Sequence, residues 1–134
     1  MKSSCPSPRL RRSGVTSTLM ALVATSGAAS AEIIDVTWDA AGRFERAAAI
    51  APGKFAEVCD KLPAGAKVRW DFEASAPLDF NVHYHVGKEV VFPSKLAAVS
   101  AATGTLDAKI EQDYCWLWSN KSAAAATFKV RLQR

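Results

Sequence analysis

The sequence predicts an all-β fold, an antiparallel two-sheet β-sandwich of jelly-roll-like type occupying residues 32–134 as one unit. Three observations predict it. Apolar and polar residues alternate with period two along several runs, turn residues separate those runs at short intervals, and two cysteines remain to tie strands together once an N-terminal export signal is set aside. A chain of 134 residues leaves room for one such domain.

Ile34, Val36 and Trp38 read as an opening strand, and Phe55 to Cys59 as another, closed by a Pro63-Ala64-Gly65 turn. The clearest alternation is Lys67 to Ala74, where Val68, Trp70, Phe72 and Ala74 take one face and Lys67, Arg69, Asp71 and Glu73 the other, wet face. Leu78 to Val86 repeats it, with Leu78, Phe80, Val82, Tyr84 and Val86 opposite Asp79, Asn81, His83 and His85. Leu106, Ala108 and Ile110 alternate with Asp107, Lys109 and Glu111, and Tyr114 to Ser119 and Phe128 to Leu132 complete the set. Turn signals fall at Pro52-Gly53, Ala76-Pro77, Gly87, Pro93 and Gly104, a spacing that suits a sandwich or a barrel. The alanines of Ala123 to Ala126 favour helix, but their place between two strands predicts a small-residue bend or a strand start.

Residues 1–31 have the layout of a cleaved signal peptide. Lys2, Arg9, Arg11 and Arg12 make a basic head, Val15 to Ala29 a mildly apolar stretch, and Ala29-Ser30-Ala31 the small-x-small cleavage signal. The stretch is too short and too rich in Ser and Thr for a comfortable membrane span. Arg11-Arg12 leaves the twin-arginine route open, although its flanks suit general secretion better. Cleavage changes the charge argument: of 17 Lys and Arg, four are lost with the signal and no acid is, leaving 13 basic against 13 acidic residues. The exported part is therefore near neutral, which removes any general attraction to nucleic acid or anionic lipid.

Cys5 leaves with the signal, so Cys59 and Cys115 are expected to pair, as two cysteines in an exported chain most simply do. The bridge would close a loop of roughly 57 residues, worth about 4 kcal/mol in the chain-entropy account. There is no CxxC to suggest redox chemistry, and both methionines, Met1 and Met20, lie in the signal, which excludes a Cys-His-Met copper site.

From Cys59 onward the order of features resembles a known family. Cys59 is followed by Leu62-Pro63-Ala64-Gly65, Val68-Arg69-Trp70-Asp71-Phe72 and Leu78-Asp79-Phe80-Asn81-Val82, and the chain closes with Tyr114-Cys115-Trp116-Leu117-Trp118-Ser119-Asn120 before Phe128-Lys129-Val130. This is similar to the GOLD-type β-sandwich of the p24 cargo-receptor lumenal domain, over about the last 75 residues. The resemblance implies a two-sheet interaction domain without catalytic residues, bridged between an early and a late strand. Two departures stand out. The late cysteine of the p24 pattern falls where this chain has Leu117, two residues after Cys115, which keeps the same strand face and leaves a bridge at the next inward position feasible. No membrane helix, coiled coil or cytosolic tail follows Phe128-Lys129-Val130, so receptor-type transport does not carry over.

Two constellations are candidates for chemistry or binding. His83 and His85 point the same way on a strand, and imidazole is a common ligand for Zn or Cu. Asp79, Asn81 or Glu89 would have to join them. A two-residue Gly87-Lys88 turn would set His85 against Val90 and His83 against Phe92, whereas a three-residue loop would set His85 against Val91 and turn Phe92 to the core. Tyr114, Trp116 and Trp118 share one face of their strand, either as core or as an exposed strip for a protein, lipid or carbohydrate ligand, with Asn120 beside them. No GxSxG elbow, P-loop or dinucleotide fingerprint occurs.

The sequence thus points to a non-enzymatic binding or adaptor module, exported to the periplasm or beyond, with no nucleic-acid partner, no required cofactor and no membrane span in the mature chain. The alternative is a periplasmic Cu- or Zn-binding protein centred on His83 and His85, with a hydrolase a distant third. The exported product is expected to begin at Glu32 and to carry no free thiol. Intact mass with and without reductant checks both points; retention of residues 1–31 or two alkylatable cysteines contradicts them.

Overall fold

A computed structural model describes residues 31–134, so all of the signal segment 1–31 except Ala31 lies outside the described residues. Seven strands follow one another: β1 (Glu32–Asp35), β2 (Arg43–Ile50), β3 (Phe55–Leu62), β4 (Lys67–Val86), β5 (Glu89–Asp107), β6 (Gln112–Ser119) and β7 (Ala126–Gln133). The two alternating runs of residues 67–86 form one strand of 20 residues, β4, which hairpins onto the 19-residue β5. Its register against β5 shifts between Glu73 and Leu78, across Ala76-Pro77. Before the shift β4 pairs with β7, from Arg69 opposite Gln133 to Ala74 opposite Phe128. After it β4 pairs with β6, from Asp79 opposite Ser119 to His83 opposite Cys115.

The long hairpin therefore belongs to two layers. One runs β2-β7-β4-β5, the other β1-β3-β6-β4-β5, and the sheet curls so that they face each other. Phe128 of the first layer stacks on Trp118 of the second at 4.4 Å between ring centroids. All pairings are antiparallel except β1 with β3, which run parallel from Glu32 opposite Ala56 to Asp35 opposite Cys59.

Alternation decides the interior. Val68, Trp70, Phe72, Leu78, Phe80 and Val82 of β4 are buried, with Val58 of β3, Trp116 of β6 and Phe128, Val130 and Leu132 of β7. Phe72, Phe80 and Trp118 meet with centroids 4.8–5.5 Å apart, within the range where tilted and edge-to-face rings attract. Gly104, read above as a turn residue, lies inside β5 directly opposite Trp70. A Cβ there would come within 2.5 Å of the Trp70 indole, so the missing side chain is what lets the ring lie across the neighbouring strand.

The aromatic strip is a correction to the contact-strip alternative. Tyr114, Trp116 and Trp118 are buried between the layers, so their strand presents no aromatic contact surface. The physical reason is the second layer: β7 and the first half of β4 cover the face that a lone sheet would leave open. Burial leaves the Trp116 and Trp118 indole N–H groups without a hydrogen-bond acceptor among the described residues. Asn120 is likewise buried, and its side chain organises the β6–β7 loop: Nδ2 donates to the carbonyls of Ile50 and Ala124 at 2.9 and 2.8 Å, and Oδ1 accepts from the Ser122 backbone N–H. That loop is the bend expected of the alanines, and β7 starts at Ala126. Trp116→Ala and Trp118→Ala should each cost about 3–5 kcal/mol of stability, lowering the melting temperature by roughly 10 °C or more. Unchanged melting of either variant would contradict its place in the core.

Candidate functional site

The inward rows of β3, β6 and β4 fix what the opposite face carries. Glu57 and Cys59 on β3, Cys115 and Leu117 on β6, and Asn81, His83 and His85 on β4 all project outward. Cys59 lies directly opposite Cys115, with Cα atoms 4.2 Å apart, and the two form the disulfide. The bridge is on the outer face, behind the Trp116 row, and not at the inward position that the family resemblance allowed. Cys115 in turn lies opposite His83, so the bridge and the imidazole are neighbours.

The β4–β5 turn has two residues, Gly87 and Lys88, between the paired Val86 and Glu89, and Gly87 takes the left-handed φ of 60° that such a turn requires. His85 consequently faces Val90, and the His83 ring lies 6.1 Å from that of Phe92. A register shift between Val82 and Tyr84 places Phe92 and Pro93 together opposite His83, where a proline is tolerated because β5 pairs only with β4.

The two histidines share the outer face with ring centroids 5.3 Å apart. His83 is buried and His85 exposed. Asn81 Oδ1, which can only accept, lies 2.8 Å from His83 Nδ1, so Nδ1–H is the donor and, in the neutral ring, Nε2 is the unprotonated nitrogen. Nε2 faces Glu57 Oε2 at 3.8 Å, too far for a hydrogen bond. Burial raises the Glu57 pKa against the lowering effect of His85, while burial and the charge of His85 both lower that of His83. Desolvation thus favours the neutral imidazole and weakens the pair as a simple salt bridge.

Of the partners expected for the histidines, Asn81 orients one of them. Asp79 is turned to the Ala98 N–H and to Lys121, and Glu89 pairs with Val86 at the turn. The carboxylate that reaches His83 is Glu57, from two strands away. Alternation within one strand carried no signal for it, since the link is the β3–β6–β4 register. Cys115 Sγ also lies within 4.8 Å of both donors, but in the disulfide it has no thiolate to offer.

Beside this cluster the surface is apolar. Six large hydrophobic side chains are well exposed among the described residues, and three of them, Val86, Val90 and Phe92, fall within the β4–β5 hairpin, each 41–46 % exposed. Lys95 sits 4.9 Å over the Phe92 ring. Elsewhere the outer surface is charged: Arg131 binds Asp71 and Glu73, Lys129 binds Glu45, and Arg46 binds Glu32. This is the wet face expected of Arg69, Asp71 and Glu73, and such exposed pairs add little stability. A perturbed carboxylate beside a histidine is one element of a hydrolytic site; a hollow of about 570 Å³ lies elsewhere, walled by Arg43, Arg69, Asp71 and Arg131 among others. No helix among the described residues is long and apolar enough to cross a membrane.

No protein-family model matches the chain, and no curated protein sequence does either. Solved structures do match in fold. PliG of Aeromonas hydrophila, a periplasmic inhibitor of g-type lysozyme, is similar at a TM-score of 0.55 and 11 % identity, over 78 % of this chain and 96 % of that one. The pre-peptidase C-terminal domain of a Bacillus anthracis collagenase gives 0.56 and 8 % identity over 78 % and 95 %. The Yersinia pseudotuberculosis-derived mitogen gives 0.54 and 8 % over 68 % and 84 %. These likenesses show a β-sandwich-type fold; the narrower GOLD-type assignment does not follow from them.

Proposed function

We propose that this protein is an exported, non-catalytic module that binds a partner protein through the outer face of its β4–β5 hairpin. The observation that carries the reading is the pair of exposed apolar side chains Val90 and Phe92 on that face, with Val86 exposed at the hairpin tip on the opposite face, on a surface otherwise laced with ion pairs. Exposed aromatic and aliphatic groups that gather in one place mark contact surfaces. The patch rests on a hairpin rather than in a deep hollow, which suits a macromolecular partner better than a small molecule. Export is read from residues 1–31. The fold neighbours are in keeping with a binding role, PliG in particular being an inhibitor of another protein, but at these identities they speak to fold alone.

The test uses Val90→Ser/Phe92→Ser, which removes two exposed side chains and should leave the melting temperature unchanged. Wild type and variant are immobilised and exposed to the exported proteins of the host cell, with a g-type lysozyme as the first purified candidate. A partner should be retained by the wild type, and its affinity, measured on the purified pair, should fall at least tenfold in the variant. Retention of the same proteins with equal affinity by both, or of lipid or polysaccharide alone, overturns the reading.

A further inference from the structure

We propose that Glu57, His83 and His85 form a binding site for one divalent transition-metal ion, Zn2+ or Cu2+, on the outer face beside the disulfide. The site adjoins the apolar patch, His85 lying opposite Val90 and the His83 ring 6.1 Å from that of Phe92, but its donors are different residues, so it stands whether or not that patch docks a protein.

The arrangement of donors carries the proposal. Asn81 Oδ1 accepts a hydrogen bond from His83 Nδ1–H, so the neutral ring keeps its free lone pair on Nε2, 3.8 Å from Glu57 Oε2. Two lone-pair donors thus face each other at 3.8 Å with no hydrogen bond between them. An ion bound to both at about 2.0–2.1 Å in tetrahedral geometry would set them roughly 3.4 Å apart. A few tenths of an ångström of side-chain movement closes the difference. Asn81 has the position of an orienting partner, holding the ring of a ligating histidine through its other nitrogen.

A turn of its side chain would bring in His85 as the third donor, since the ligand atoms already within 4.8 Å of one another are those of Glu57, His83 and the disulfide-bonded Cys115. His85 lies on the same face two residues along β4, its ring centroid 5.3 Å from that of His83. Its exposure leaves it free to turn toward the pair. Two imidazoles and one carboxylate suit Zn2+ and Cu2+, whereas Ca2+ and Mg2+ prefer sites made wholly of oxygen. Three protein ligands leave a fourth position for water or for an incoming group.

The experiment titrates the untagged, oxidised protein with ZnCl2 and CuCl2 by calorimetry, with MgCl2 as control. The wild type should bind one equivalent of Zn2+ or Cu2+ and no Mg2+. His83→Ala/His85→Ala should weaken binding at least a hundredfold, and Glu57→Gln at least tenfold. Asn81→Ala, as a positioning change, should weaken it about 10–100-fold. Val90→Ser/Phe92→Ser alters neighbours of the histidines but keeps all three ligands, so it should still bind one equivalent of metal, within about tenfold of the wild-type affinity, while Glu57→Gln keeps the apolar patch; failure of the docking surface and failure of the metal site are thereby read separately. Electron paramagnetic resonance of the Cu2+-loaded wild type reads the donor set without any variant and should show two imidazole nitrogens. No binding by the wild type, equal binding by the histidine double variant, or a copper spectrum without imidazole coupling overturns the site.

Discussion

One strand holds the architecture together. β4 runs for 20 residues through both layers, pairing with β7 before its bend and with β6 after it, while β5 follows it along nearly its whole length. Because side chains alternate along a strand, this arrangement assigns Trp70, Phe72, Phe80 and Val82 to the interior and Arg69, Asp71, Asn81 and His83 to the outer face. A one-residue slip would reverse every one of those assignments. The core resists it, since Phe72 and Phe80 pack against the same Trp118.

The outer-face cluster follows from that constraint. Glu57 and His83 sit on strands separated by β6, roughly 10 Å apart at the usual inter-strand spacing, and only their side chains close the distance. Their separation is steady because the intervening pairings are locked. Cys59 is bonded covalently to Cys115, and Cys115 lies opposite His83. The bridge therefore does more than restrict the unfolded chain: it fixes the β3–β6 register that brings a carboxylate to an imidazole. The apolar hairpin beyond lacks such a brace, since its far side, β5, has only β4 as a neighbour.

Much of this was legible in the residues. The alternation at Lys67–Ala74 and Leu78–Val86, the strands at Tyr114–Ser119 and Phe128–Leu132, and the pairing of the two cysteines all appear in the structure. Less legible were β2 and most of β5. Their alanines carry little alternation and favour helix, and they are strands because β7 and β4 offer them complete ladders. Pro93 and Gly104 read as turn signals, yet one sits at a register shift on an outer strand and the other beneath an indole. Whether the aromatic face of β6 was core or surface could not be decided from β6 itself, because the answer lies in the layer that covers it. Glu57 was invisible for a related reason: its relation to His83 is a matter of strand order, which one strand's periodicity does not encode.

The central claim is that β4 divides its residues between a core that holds the fold and an outer face that is free to function. An alanine scan from Leu78 to His85, read by denaturant unfolding, tests it most directly. Leu78→Ala, Phe80→Ala and Val82→Ala should each lose about 2–5 kcal/mol, while Asn81→Ala and His85→Ala should stay within about 0.5–1 kcal/mol of the wild type. Equal losses at even and odd positions, or greater losses at the odd ones, would contradict the account.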